Sequence, residues 1–188
     1  MTVAVALIRG INVTGNNMLP METLRALCGR AGLRDARTWI QSGNVVFRCD
    51  ARSLAGAPAK LEAAIEKKHG FRPSVMVRGL DELRAVHATR AFKDHDSLHP
   101  GKLLVMFLAQ EGNKGAAKAI DAVIKTEKCP ERFAIRGREV FLYFPNGVGK
   151  AQLPMSAVEK ALGTSGTCRN WNTVTKLVAM GAELESAP

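Results

Sequence analysis

Seven of the chain's eight asparagines fall in four short polar segments. These are Arg9-Gly-Ile-Asn-Val-Thr-Gly-Asn-Asn17, Gln41-Ser-Gly-Asn44, Pro145-Asn-Gly-Val-Gly-Lys150 and Arg169-Asn-Trp-Asn-Thr-Val-Thr-Lys176, and only Asn113 lies elsewhere. Asparagine and glycine favour turns and caps and tolerate positive φ. Arginine, asparagine and lysine also donate hydrogen bonds to anions and amides. Two readings follow: one polar site assembled from four places, or a set of unusual turns. In the first, Arg9, Lys150, Arg169 and Lys176 supply charge. Asn12, Gln41, Ser42, Asn44, Asn146, Asn170 and Asn172 supply orientation. The ligand implied is anionic, a nucleotide or a nucleic acid.

The four segments contain no Asp, Glu or His, the residues on which acid–base catalysis and metal binding mostly draw. Thr14, Ser42 and Thr173 have no neighbouring base there to activate them. An enzyme acting on a phosphorylated small molecule is the alternative, and it needs a carboxylate or His from elsewhere in the fold. A third reading makes the polar residues purely structural, tying two subdomains together. No cofactor is implied.

Each segment has a functional and a structural account. Arg9–Asn17 follows a strand and precedes a helix, where phosphate loops sit, but matches neither G-x-x-x-x-G-K-[ST] nor G-x-G-x-x-G. Pro145–Lys150 is a candidate anion nest, with Lys150 neutralising charge, or an ordinary glycine loop. Arg169 and Asn170 stand just ahead of a helix start, where free N–H groups favour an anion. Trp171 either stacks on a ligand ring or fills the core, and Asn172 is a good N-cap. In the hairpin at 41–44 the turn explains every residue but Gln41. Asp94-His-Asp-Ser-Leu-His99 has a metal-like spacing, but Pro100-Gly101 beside it indicates a loop, and no metal site is assigned. The four cysteines, Cys28, Cys49, Cys129 and Cys168, form no C-x-x-C pair, which argues against a zinc or thioredoxin-like motif.

The composition, 46% hydrophobic and 23% charged, is that of an ordinary soluble domain. No apolar run approaches the roughly 20 residues of a membrane span. The start reads as a strand rather than a signal peptide, so the expected location is the cytoplasm, with no membrane partner. The net charge of +10 is diffuse: 15 Lys/Arg against 9 Asp/Glu in residues 1–99, and 12 against 8 in residues 100–188. Such a field raises encounter rates with anions without conferring specificity. Oligomeric state is not legible.

Hydrophobic periodicity supplies the elements that must position these segments. Val3–Ile8 is a buried strand. Pro20 opens a helix with Leu24, Leu27 and Cys28 inward, and Gly32 ends it. Arg37–Gln41 and Asn44–Arg48 form a hairpin around Ser42-Gly43. Ala57–His69 is a helix stopping at Gly70, and Ser74–Arg78 is a strand. The order is β-α-β-β-α-β, the ferredoxin-like unit. A short helix, Asp81–Ala88, follows. The order then repeats: strand Leu103–Ala109, helix Gly115–Glu127, hairpin Arg132–Arg136 with Glu139–Phe144, helix Pro154–Leu162, strand Thr167–Arg169 and a last helix after Asn172.

The expected fold is α+β, two ferredoxin-like subdomains with an extra C-terminal helix. The expected domains are residues 1–92, a linker at 93–101, and residues 102–188. A cleft between the subdomains is the expected ligand site. Comparison with RNA-recognition sheets finds only Phe47 where two or three stacking rings are wanted.

Arg9-Gly-Ile-Asn-Val13, Ile40-Gln-Ser-Gly-Asn-Val-Val-Phe47, Pro145-Asn-Gly-Val-Gly149 and Thr167 through Leu177 together resemble the bacterial family known as domain of unknown function 1697. The resemblance covers nearly the whole chain. It implies a cytoplasmic α/β protein with two ferredoxin-like subdomains and no established activity. Family members carry Gly-Gly after the first motif, then a basic residue. This chain has Thr14-Gly15 and Asn16, departures that count against a phosphate loop.

Overall fold

The computed structural model describes residues 1–13 and 15–187. Thr14 therefore lies outside the described residues. The chain divides into two units, Met1–His87 with Thr175–Pro188, and Ala88–Val174. Each holds one four-stranded antiparallel sheet.

In the first unit the strands are β1 (Thr2–Ile8), β2 (Arg34–Trp39), β3 (Asn44–Cys49) and β4 (Val75–Gly79), ordered β2-β3-β1-β4. Helices α1 (Met21–Arg30) and α3 (Ala57–His69) pack on one face, with a one-turn helix α2 (Ala51–Leu54) between β3 and α3. Strand alternation sends Ala4, Ala6, Ile8, Val45 and Phe47 to that face. There they meet Leu24, Leu27, Cys28, Leu61 and Ile65 in a sealed core. Burial pushes the Cys28 thiol up to about 12, so it packs as a small hydrophobe. α3 has the expected bounds, and Gly70 ends it in the left-handed region at φ 76°. Helix α4 (Leu80–Ala88) follows β4 directly.

The second unit repeats the plan with β5 (Leu103–Leu108), α5 (Ala116–Glu127), β6 (Arg132–Arg136), β7 (Glu139–Tyr143), α6 (Met155–Leu162), β8 (Gly166–Asn170) and α7 (Trp171–Ser186). The sheet order is β6-β7-β5-β8. Met106, Leu108, Val140 and Leu142 face α5 and α6, meeting Ile120, Val158 and Leu162. Both sheets thus have the ferredoxin-like order, as the periodicity implied.

The correspondence reaches single residues. Arg78 lies opposite Val5 on β4, and Arg169 lies opposite Val105 on β8. Both arginines are buried on the sheet face away from the covering helices. Each bonds the carbonyl before it, Arg78 Nη1 to Val77 O (3.0 Å) and Arg169 Nη1 to Cys168 O (2.8 Å). Each strand then passes straight into a helix.

Three expectations change. Residues 93–101 lie within the second unit, forming 3-10 turns at His95–Ser97 and Pro100–Lys102, with His95 buried. The ion pairs Asp94–Arg132 (2.6 Å) and Arg90–Asp96 (2.7 Å) pin this stretch down. Second, α7 belongs to the second unit only through Val174, and Thr175 onward belongs to the first. Arg48 bonds the α7 carbonyl of Leu184 (2.6 Å) and that of Ala187 beyond it. Arg84 pairs with Glu185 (2.7 Å), and Gly181 leaves no room for a Cβ against Leu80. Third, the first hairpin is shifted: β2 runs from Arg34 to Trp39 with a bulge between Arg34 and Arg37, and residues 40–43 form the turn. Ile40, at φ 49°, leaves the extended conformation and ends the strand.

Candidate functional site

In the first unit the polar residues gather where β1 ends. Asn12 occupies the left-handed region at φ 55°. Its Nδ2 donates to Leu19 O (3.0 Å) and Gln41 O (2.8 Å), and its Oδ1 accepts the Leu19 N–H (2.7 Å). One amide thus closes the 9–20 connection and ties it to the hairpin turn. Asn17 Nδ2 donates to Gly10 O (3.0 Å) inside the same connection. Asn44, fully buried, donates to Trp39 O (3.2 Å) and Ser42 Oγ (2.9 Å), bracing the turn from below. The Ile8 N–H reaches Gly43 O (2.9 Å), and the Arg9 N–H reaches Ser74 O (2.9 Å). Gly43 sits at φ 74°, and a Cβ there would lie 2.8 Å from Ile8 Cβ. Only glycine fits that close approach.

This bracing holds an unfavourable conformation. Ile40 is β-branched, left-handed and 53% exposed. Such a backbone costs an L-residue about 1–2 kcal/mol. Beside it, Lys176 Nζ stands 5.1 Å from the centroid of the Trp39 ring, a cation–π contact. Gln41 is exposed, and Arg9 is half-buried at the start of the connection.

The second unit places its candidates differently. Arg169 is buried, with Nη1 bonded to Thr167 Oγ1 (2.8 Å) as well as to Cys168 O. Desolvation by burial lowers its guanidinium to about 10. Asn170 Oδ1 accepts the Thr173 N–H (2.9 Å), so Asn170 is the cap of α7. Asn172, expected in that role, is an exposed residue of the first helical turn, because α7 starts at Trp171. Trp171 packs edge-on to His95 (4.8 Å between centroids) and 6.3 Å from Phe141. Asn146 and Lys150 are exposed on the loop after β7, where Lys102 Nζ bonds Pro145 O (2.6 Å).

The structure therefore groups Asn12, Gln41, Ser42, Asn44 and Lys176 with Trp39 at one end of the first unit, Arg9 beginning the same connection. It uses Asn12, Asn44, Asn170 and Arg169 in internal hydrogen bonds.

The Asp94–His99 stretch disperses its donors. Asp94 is held down to about 2 by Arg132, Asp96 pairs with Arg90, and His99 Nδ1 accepts the Gly101 N–H (3.1 Å). Among the described residues no group of three or more His, Cys, Asp or Glu side chains is arranged to hold a metal ion.

Two features escaped sequence reasoning. Phe107, Phe141 and Tyr143 stand on the face of the second sheet's central strands away from α5 and α6. Phe107 and Phe141 are buried, the latter beside Trp171, so they are core rather than a stacking platform. The first unit also holds a cleft of about 640 Å³ lined by Val3, Arg48, Leu80, Glu82 and Glu185 among others, and none of the candidates lines it. The acids opening α4 were its only signal.

Fold and site together define a class: an α/β protein of two ferredoxin-like units. The chain belongs to the protein family of unknown function DUF1697, whose model matches residues 1–141. The third and fourth segments of the resemblance, Pro145–Gly149 and Thr167–Leu177, lie beyond that match. The structure is similar to that of the conserved bacterial protein SP0830 from Streptococcus pneumoniae, with a TM-score of 0.71 and 24% sequence identity. The likeness covers 97% of this chain and 99% of that one, and it concerns the fold. Among curated proteins, none matches. Among the described residues no helix is long and apolar enough to cross a membrane.

Proposed function

We propose that the protein binds an anionic ligand, a nucleotide or nucleic acid, at the first unit's hairpin turn. The observation that carries this reading is Lys176 held over Trp39 beside a turn that is strained, braced and exposed. Lys176 supplies charge, Gln41 and Ser42 supply hydrogen bonds, and Trp39 offers a ring. Asn12 and Asn44 act indirectly, by holding the turn. Strained backbone persists only where its surroundings over-determine it, and such sites cluster where ligands bind.

Thermal shift against a nucleotide panel tests the reading, comparing the parent with Lys176→Ala and Gln41→Ala. Stabilisation of the parent that both variants lose supports it. Equal shifts in all three proteins remove it. Arg169→Ala is unsuited to this test because it opens a buried site.

For the remaining polar residues a structural reading is favoured. Asn12 engages both its amide groups with backbone, Asn170 caps a helix, and Arg169 is buried against Thr167.

A further inference from the structure

We infer that the ligand of this turn is a single-stranded nucleic acid, with Ile40 packing against its unstacked bases. The inference rests on the anion-binding reading above and narrows it. A left-handed, β-branched residue is disfavoured wherever glycine or asparagine would serve. Ile40 nevertheless occupies such a position while remaining more than half exposed. Its side chain is thus presented outward from a braced turn.

Ile40 is not alone. Val13 (56% exposed) and Met18 (57%) lie on the 9–20 connection, and Asn12 joins that connection to the turn through Gln41 O. Two loops tied by one amide thus carry three of the five large hydrophobics exposed among the described residues, Met1 and Val148 lying elsewhere. Cations stand along the strand that leads into the turn: Lys176 over Trp39, Arg25 bonded to Thr38 (2.8 Å), and Arg37 exposed on β2.

The occupant must therefore offer apolar surface, hydrogen-bonding edges for Gln41 and negative charge in close succession. A single strand has all three in every nucleotide: a flat base face, its amide-like edges and a phosphate. A duplex buries its base faces in the stack. A second copy of this chain would bring its own +10 charge against the same cations.

The test is fluorescence anisotropy at low ionic strength. The probes are a labelled strand of roughly 12 nucleotides, within known site sizes, its duplex, a mononucleotide and an acidic amphipathic peptide. The expected result is tighter binding of the strand than of the duplex. Ile40→Asn is expected to weaken strand binding about threefold, less than the loss of an aromatic base stack, while melting no lower than the parent. Met18→Ser, a change at an exposed side chain, provides a second reading of the same contact. Equal binding of strand and duplex, or affinity unchanged in both variants, overturns the base contact and leaves the anion site standing. Binding of the mononucleotide alone, or of the peptide in preference to the strand, also overturns the inference. If none of the nucleotide probes binds, both the inference and the broader reading fail.

Discussion

The two hairpins of this chain start from one plan and end differently. In each unit the last residue of the central strand donates its N–H to the hairpin turn: Ile8 to Gly43 O and Leu108 to Arg138 O, both at 2.9 Å. The next residue donates to the chain leading into the last strand, Arg9 to Ser74 O (2.9 Å) and Ala109 to Ser165 O (3.0 Å). Beyond that the units part. The second hairpin turns through Gly137 and Arg138 alone, and a Cβ at Gly137 would meet nothing within 4 Å. The first turns through residues 40–43, packs Gly43 against Ile8 and Ile11, strains Ile40 and recruits Asn12 and Asn44 as braces. Forming the fold needs only the simpler turn, as the second unit demonstrates. The elaboration of the first is thus the part of the molecule that folding alone does not explain.

That contrast can be broken most sharply at the two glycines. Gly43→Ala is expected to cost about 2–4 kcal/mol, combining a left-handed φ with overpacking against Ile8. Gly137→Ala, also at positive φ but in open space, should cost only about 1 kcal/mol. Urea unfolding of both variants measures the difference, and equal costs would mean that the first turn is no more tightly braced than the second.

A smaller effect is expected at the braces. Asn12→Ala removes three hydrogen bonds and a residue suited to its backbone, for a loss of about 2 kcal/mol. Asn146→Ala, on the second unit's exposed loop, should stay within about 0.5 kcal/mol of the parent. Smaller again, and opposite in sign, Ile40→Asn should raise stability by about 1 kcal/mol by relieving the left-handed strain.

The smallest effect concerns the second unit's ion pair. Arg132 holds the Asp94 carboxyl at about 2, below its ordinary 3.8. A depressed acid adds stability above its unfolded value. That contribution is lost as pH falls from near 4 towards 2. Asp94→Asn should flatten this part of the acid-unfolding curve and leave stability changes between pH 6 and 8 unaltered. Because the pair is exposed, the effect should also shrink with added salt.

Much of the fold was legible because period and punctuation determine it locally. The short, wholly apolar run Val3–Ile8 and the helical spacing of Leu61 and Ile65, with Gly70 behind them, gave the main elements of the first unit to within a few residues. The second unit followed by repetition. What local pattern could not give was allegiance. The apolar side of α7 looks the same in the sequence whichever unit it serves, and it is contacts such as those with Trp39, Arg48, Arg84 and Leu80 that show its later turns belong with the first unit. Similarly, 93–101 has a linker's composition, but Arg132 and Arg90 anchor it through Asp94 and Asp96.

The candidate site was legible as a list and not as a set of roles. An asparagine that braces a turn and one that binds a ligand are the same residue in the sequence. Asn12 is distinguished by Leu19 and Gln41 around it, contacts that arise only once the chain is folded. Asn170 and Asn172 are two residues apart, and the end of β8 decides which of them caps the helix. Ile40 gave no signal at all, since strain is a property of φ and not of residue type.

The most direct test of the central claim maps a bound oligonucleotide onto isotope-labelled protein by amide chemical shifts. Movement confined to residues 9–18, 39–44 and Lys176, with Gly137 and Arg138 silent, is the result this account requires. Shifts concentrated on the second hairpin, or none anywhere at saturating ligand, would contradict it.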